Sequence, residues 1–400
     1  MLLFQPNNPM NLSEILTHLG EDRSEYFGAV APALIQSSNF AYADIAAFRE
    51  ALQNELQYPL YTRGNNPTVD ILRQKIAALE HTEDALIVGS GSSAVAIAIM
   101  GNIQAGEHVI CVQKPYSWTF KLLDGLLSRF GVSVTFVDGR NLSEIQAAKR
   151  ANTKVLMLES PNSLSFELQD LRACAQWAKS EHICTIIDNS YCSPYYQNPA
   201  DYGIDIIVHS GTKYLNGHSD LVCGVVCGTK EMIKKLFYAE YMSLGTIISP
   251  HDAWLVLRGL RTLPIRIEKS QQTTLKVLEY LKKQPEVDYV LYPFDETFPQ
   301  YELARAQMRG AGGLFSVNFK CERMEQMEAF CNALAKEFLI AVSWGGYESL
   351  QIPTCIFYNP SLPKPALPMS FVRYYIGLEE ADYLIAGFER CLPLLGAKDA

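Results

Sequence analysis

Residues Asp205–Asp220 read DIIVHSGTKYLNGHSD. The first part is an apolar run that closes at His209 and Ser210. Such runs, bounded by turn residues, belong to strands buried on both faces. Ser210, Gly211, Thr212 and Lys213 follow directly. Lysine is rarely buried, because its ammonium loses hydration that nothing replaces. A side chain that snorkels to solvent is one explanation. A nucleophile is the other: a desolvated lysine gives up its proton more readily and condenses with an aldehyde.

The same strand signal recurs along the chain. Candidate strands are Asp84–Gly89 (DALIVG), His108–Val112 (HVICV), Ser133–Val137 (SVTFV), Lys154–Glu159 (KVLMLE), Cys184–Asp188 (CTIID), Asp205–Ser210 and Leu221–Gly228 (LVCGVVCG). Helix-length segments separate most of them. This alternation predicts an α/β fold: a mostly parallel seven-stranded sheet flanked by helices. The first stretch, residues 1–60, carries two weak helical signals among loops and reads as an arm. Residues 61–256 form the sheet domain. From residue 257 onward a long amphipathic helical region, broken at Pro264, gives way to hairpin-like pieces, which predicts a smaller α+β domain over 257–400.

Ligands in open α/β sheets bind beyond the carboxyl ends of the strands. Ser90–Ser93 (SGSS) follow the first strand and open a helix, whose free N–H groups make an anion seat. A plain tight turn explains the same residues. Asp188 closes the fifth strand, as a turn residue or as a carboxylate held against a buried cation. With Lys213 these make a set: an anion cradle, a carboxylate and a reactive lysine at one edge of one sheet. Pyridoxal phosphate needs that combination, the cradle for its phosphate, the lysine for its aldehyde and the acid for its ring nitrogen.

Composition narrows the alternatives. With 48% hydrophobic and 19% charged residues the chain is a folded globular one. A net charge of −9 argues against nucleic acid as a partner, since phosphate backbones need a basic face. The ten cysteines contain no CxxC pair and the seven histidines no HExxH, so neither a disulfide framework nor a metal site is expected. The opening MLLFQPNNPMNL has no basic region and no long apolar stretch. No window is apolar enough to span a membrane, so a cytoplasmic protein is the expectation.

Seven motifs carry a family resemblance: YTRGNNPT (Tyr61–Thr68), IIDNSY (Ile186–Tyr191), SGTKYLNGHSD (Ser210–Asp220), RGLRTL (Arg258–Leu263), QMRGAGGLFS (Gln307–Ser316), SWGGYESL (Ser343–Leu350) and VRYYIGLEEADYLI (Val372–Ile385). The sequence resembles the Cys/Met-metabolism family of pyridoxal-phosphate enzymes, which share the aspartate-aminotransferase type I fold. The resemblance implies pyridoxal 5'-phosphate as cofactor, with Lys213 holding its aldehyde and then shuttling the substrate proton. It implies that Asp188 pairs with the ring nitrogen, that Tyr116 stacks on the ring, and that Gly91, Ser92, Ser210 and Thr212 bind the phosphate. Tyr61 and Arg63 would reach the phosphate of a neighbouring subunit, in a homotetramer built as a dimer of dimers. Arg373 would grip the substrate carboxylate, with Ser343 and Trp344 lining the same pocket.

Within the family, ESPNSLSFELQD (Glu159–Asp170) and Trp344 resemble the cystathionine β-lyase branch. This implies α,β-elimination on cystathionine or a related cysteine thioether, giving homocysteine, pyruvate and ammonia, within methionine biosynthesis. Many γ-acting members carry leucine where Trp344 stands. Val342 points the other way: tyrosine is common there in β-lyases, and some γ-lyases have valine. A γ-acting lyase or synthase is therefore the alternative. A non-catalytic member kept for binding or regulation would be expected to lack Lys213 or Asp188. A dinucleotide-binding dehydrogenase would need an acidic residue closing the second strand, where Val112 is followed by Gln113 and Lys114.

Overall fold

The computed structural model describes residues 10–358 and 366–396. The opening residues 1–9, read above for targeting signals, and residues 397–400 at the far end of the C-terminal segment lie outside the described residues. Two sheets organise the chain. The first contains β1 (Asp84–Val88), β2 (His108–Val112), β3 (Ser133–Val137), β4 (Thr153–Glu159), β5 (Cys184–Asp188), β6 (Ile206–Ser210) and β7 (Gly224–Gly228). Their order across the sheet is β1-β7-β6-β5-β4-β2-β3. The sequence reading of seven strands holds, with the last one starting at Gly224 instead of Leu221.

Alternation along each strand splits the side chains between two cores. Ile110, Leu156, Leu158, Ile187 and Ile207 face one apolar cluster. Val109, Val155, Met157, Ile186 and Ile206 face the other. Successive residues on a strand point to opposite faces, so a sheet covered on both sides needs an unbroken apolar run. All strand pairs are parallel except those of β7, which runs antiparallel to both β1 and β6. The connection from β6 to β7 is the loop that carries Lys213. It contains no helix to return the chain to the other end of the sheet, so the strand must reverse.

The second sheet holds β8 (Val287–Leu291), β9 (Leu314–Phe319), β10 (Leu339–Ile340), β11 (Leu350–Pro353) and β12 (Phe371–Tyr375), in the order β10-β11-β12-β9-β8. It is antiparallel apart from the β10–β11 pair. Between the sheets run helices Pro250–Leu260 and Leu263–Leu281. The break expected at Pro264 falls instead at Arg261 and Thr262. Pro264 sits in the first turn of the second helix, where its missing N–H has no intrahelical partner to lose.

The N-terminal segment packs through charge as well as apolar contact. Helix Leu12–Thr17 lies against helix Pro67–Leu79, where the buried Lys75 donates to the Ile15 carbonyl at 2.8 Å and pairs with Glu21 at 3.1 Å. Arg261 reaches the same Glu21 at 3.1 Å. With Arg23 at 3.4 Å as well, the buried carboxylate has three cations around it, which satisfies the requirement that interior charges be paired. Helix Ile45–Gln53 differs: Ile45, Phe48 and Leu52 are all exposed, as are Phe27 and Val30. All ten cysteines are free thiols. Among the described residues no helix is long and apolar enough to cross a membrane.

Candidate active site

The segments that follow β1, β5 and β6 of the first sheet line one cavity. β1 passes through Gly89 and Ser90 into helix Gly91–Met100. Ser90 caps that helix, its hydroxyl accepting the Ser93 N–H at 3.0 Å. The amides of Gly91 and Ser92 remain directed past the helix end, as the first turn of any helix requires. A side chain at Gly91 would put its Cβ 2.8 Å from that of Ser210, so only glycine lets the helix start touch the end of β6.

β5 ends at Asp188, whose carboxylate accepts the Ser190 N–H at 2.9 Å. The Ser190 hydroxyl in turn accepts the Ser210 N–H at 2.7 Å. β5 and β6 are thereby tied at their tips. The turn closes with the Lys213 N–H on the Ser210 carbonyl at 3.1 Å. The Thr212 hydroxyl accepts the Cys223 N–H at 2.9 Å and donates to the Cys223 carbonyl at 3.2 Å. It braces the loop in this structure. The hydroxyls of Ser92 and Ser210 have no protein partner among the described residues.

Above these ends lies a cavity of about 480 Å³. Gly91, Ser92, Tyr116, Asp188, Ser210, Thr212, Lys213, Ser343, Trp344 and Arg373 all line it, as the sequence reading grouped them. A second hollow, of about 420 Å³, runs along residues 296–303 and shares no lining residue with the first. Lys213 donates from Nζ to the Ser343 hydroxyl, and its Nζ lies 5.5 Å from the centre of the Trp344 ring. Burial, then the Arg373 guanidinium, pull its pKa down from 10.5 to about 8, with Asp188 opposing. A lysine near neutrality can act as a base at physiological pH, which an ordinary one cannot.

The second sheet supplies the far wall. Arg373 on β12 donates to the Ser163 carbonyl at 3.1 Å and to the Ser343 carbonyl at 3.2 Å. Burial lowers its pKa to about 10, and the Glu159 carboxylate works against that. Trp344 is buried, its ring 5.3 Å from Tyr214 and 6.5 Å from Tyr191 in tilted contacts. Ser343 and Gly345 both have positive φ, +83° and +89°. A left-handed serine is uncommon, and such strain concentrates where a side chain must be aimed.

Tyr61 and Arg63 are not in this cavity. Tyr61 is 48% exposed, and the Arg63 guanidinium lies over its ring at 5.6 Å. Other wall residues were not singled out from sequence: Glu159, Ser163, Ser190, Val222 and Phe357. Glu159 ends β4 as Asp188 ends β5, and the two are neighbours in register. The rule that picked out Asp188, a carboxylate closing a strand, applied to Glu159 as well.

The residues present fit pyridoxal phosphate. Two unpartnered hydroxyls flank a helix start, a carboxylate and a lysine of depressed pKa face the same space, and the Tyr116 ring forms one wall. This is the fold and site of a type I pyridoxal-phosphate enzyme. The family model for Cys/Met metabolism PLP-dependent enzymes matches residues 13–393, and the chain belongs to that family. It is 37% identical over 388 residues to an L-methionine gamma-lyase of Treponema denticola, covering 94% of this chain and 96% of that protein. A cystathionine gamma-lyase of Bacillus subtilis is 32% identical over 389 residues, covering 96% and 99%. The crystal structure of metB from Corynebacterium glutamicum superposes with a TM-score of 0.89 at 32% identity, over 98% of this chain and 99% of that one.

Proposed function

We propose that the chain is a carbon–sulfur lyase that eliminates a thiol from the γ carbon of a methionine-like thioether. What supports the reading is the likeness to L-methionine gamma-lyases, 37% and 36% identical, each over 94% of this chain. Leu164, Val222, Val342 and Phe357 add apolar side chains to the cavity wall, which also carries Lys114, Glu159, Asp188, Lys213 and Arg373. Apolar lining of this kind suits a short thioether side chain.

Lys213 would hold the cofactor aldehyde, Asp188 would face the ring nitrogen and Tyr116 would stack on the ring. Gly91, Ser92 and Ser210 take the phosphate, joined by Thr212 once its O–H turns away from the Cys223 carbonyl. When bound, pyridoxal phosphate supplies the electron sink for the pair left on Cα. Arg373 orients the substrate carboxylate through its paired N–H groups. The Lys213 amine would take the Cα proton and carry protons among Cα, Cβ and the departing sulfur. Ser343 and Trp344 hold the lysine and close the pocket.

Tyr61 and Arg63 serve the site of a neighbouring subunit. Their absence from their own cavity supports this, as do the exposed apolar residues Phe27, Val30, Ile45, Phe48 and Leu52 on the N-terminal segment. The assembly we propose is a dimer of dimers.

A second reading, α,β-elimination on cystathionine, is favoured by Trp344, which packs beside Lys213 as the cystathionine β-lyase branch would have it. Product analysis separates the two. Methionine converted to 2-oxobutyrate, methanethiol and ammonia supports γ-cleavage. Inertness towards methionine, with pyruvate and homocysteine formed from cystathionine, overturns it.

A further inference from the structure

Glu159 is buried at the cavity wall beside a second carboxylate, Asp188, with which it is in register. Placing two acidic groups together away from water is costly, and one is normally driven neutral. Burial and Asp188 raise the Glu159 pKa to about 8. Its hydrogen bonds show what the side chain does there. One oxygen accepts the Tyr116 N–H at 2.6 Å, and the other accepts the Ser163 N–H at 3.2 Å. Tyr116 and Ser163 belong to different loops. The Ser163 carbonyl accepts from Arg373 at 3.1 Å, and Arg373 also holds the carbonyl of Ser343, whose hydroxyl holds Lys213. A single line of hydrogen bonds thus runs from the Tyr116 loop to the lysine, and Glu159 is the one member that bridges the two loops by its side chain.

We propose that Glu159 is a positioning residue: by clamping the Tyr116 and Ser163 amides it sets the spacing between the ring-stacking wall and the Arg373 guanidinium. The inference rests on the roles given above to Tyr116 and Arg373. Two backbone donors need two acceptors, and both oxygens of a carboxyl group can accept, the hydroxyl one through its lone pairs when the group is protonated. Glutamine would turn an NH₂ towards one of the amides and release that loop.

The test is ligand binding by the holoenzyme, followed by calorimetry and by circular dichroism of the cofactor band. L-norleucine has an α-carboxylate and no leaving group; n-pentylamine is the same molecule without the carboxylate. Glu159→Gln is expected to weaken norleucine roughly tenfold, the worth of one mispaired buried donor, to leave pentylamine unchanged, and to alter the dichroism through the freed Tyr116 loop. Norleucine binding equal to the parent, or equal weakening of both ligands, overturns the proposal. Arg373→Lys is measured in parallel. If it weakens norleucine while Glu159→Gln does not, the positioning role alone fails. If it leaves norleucine unchanged, the carboxylate role of Arg373 fails and takes this proposal with it. Should Glu159→Gln not fold, Glu159→Asp keeps both carboxyl oxygens, shortens the reach, and is expected to show the same selective weakening.

Discussion

Lys213 and Ser343 stand 130 residues apart, and the lysine Nζ donates a hydrogen bond to the serine hydroxyl. The serine sits in a left-handed backbone conformation next to Gly345, also left-handed, so the loop is shaped around that contact. Ser343→Ala removes an acceptor from an ammonium that has few. We expect kcat/KM to fall roughly tenfold, equivalent to about 1.4 kcal/mol, with KM carrying the smaller share. Steady-state kinetics of the variant check this; unchanged kcat/KM would mean the contact is incidental.

Two buried groups make the stability of the cofactor-free protein depend on pH in opposite senses. The folded-state pKa of Lys213 is depressed to about 8 from 10.5, so between those values the unfolded chain binds more protons and stability rises with pH. The Glu159 pKa is raised from 4.5 to about 8, so across that window the folded chain binds more protons and stability falls as pH rises. Lys213→Met should flatten the alkaline limb and Glu159→Gln the acid one. Denaturant unfolding of the apoprotein at a series of pH values measures both slopes.

Gly345 is pinned by its own backbone and by a neighbour. A Cβ there would lie 2.8 Å from the Tyr214 nitrogen and 3.0 Å from the Lys213 Cα, at a φ of +89°. Gly345→Ala is expected to cost about 2 kcal/mol of stability. It should also lower kcat, because the main chain that must give way is that of the lysine. Calorimetry and kinetics on one preparation report the two losses, and a stable variant with full activity would contradict the model of this contact.

If each cavity is completed by a neighbour, two dead chains can make one live site. Arg63→Ala and Lys213→Ala variants are each expected to lose activity, Lys213→Ala by a factor of roughly 10² to 10⁴. Refolded together, they should recover a fraction of it through hybrid dimers. Absence of recovery would show that every chain builds its site alone.

The legible part of this protein was what strand chemistry writes locally. Continuous apolar runs marked the seven strands, and a lysine or aspartate closing such a run marked Lys213 and Asp188. The reversal of β7 was less visible, because it depends on the loop from Gly211 to Cys223 lacking a helix and not on the strand's own residues. Glu159 carries the same mark as Asp188, a carboxylate closing a strand, but what it does there is hidden, because its partners are main-chain amides, which every sequence has. The contact between Lys213 and Ser343 joins two sheets, and no local pattern records such a distance. The branch of chemistry is hard to read for a related reason. Trp344 is read through its likeness to one branch of the family, whereas Leu164, Val222, Val342 and Phe357, scattered through the chain, come together only at the cavity wall.

The first sheet brings Lys213 and Asp188; the second brings Arg373 and Ser343. Neither half of the gene therefore encodes a usable trait by itself. A recombination event that exchanged the C-terminal half with a distant cousin would replace Arg373 and the serine that holds Lys213 at a stroke, while Lys213 and Asp188 stayed as they were. The crossover would be tolerated only where the incoming serine and arginine met the resident lysine in register.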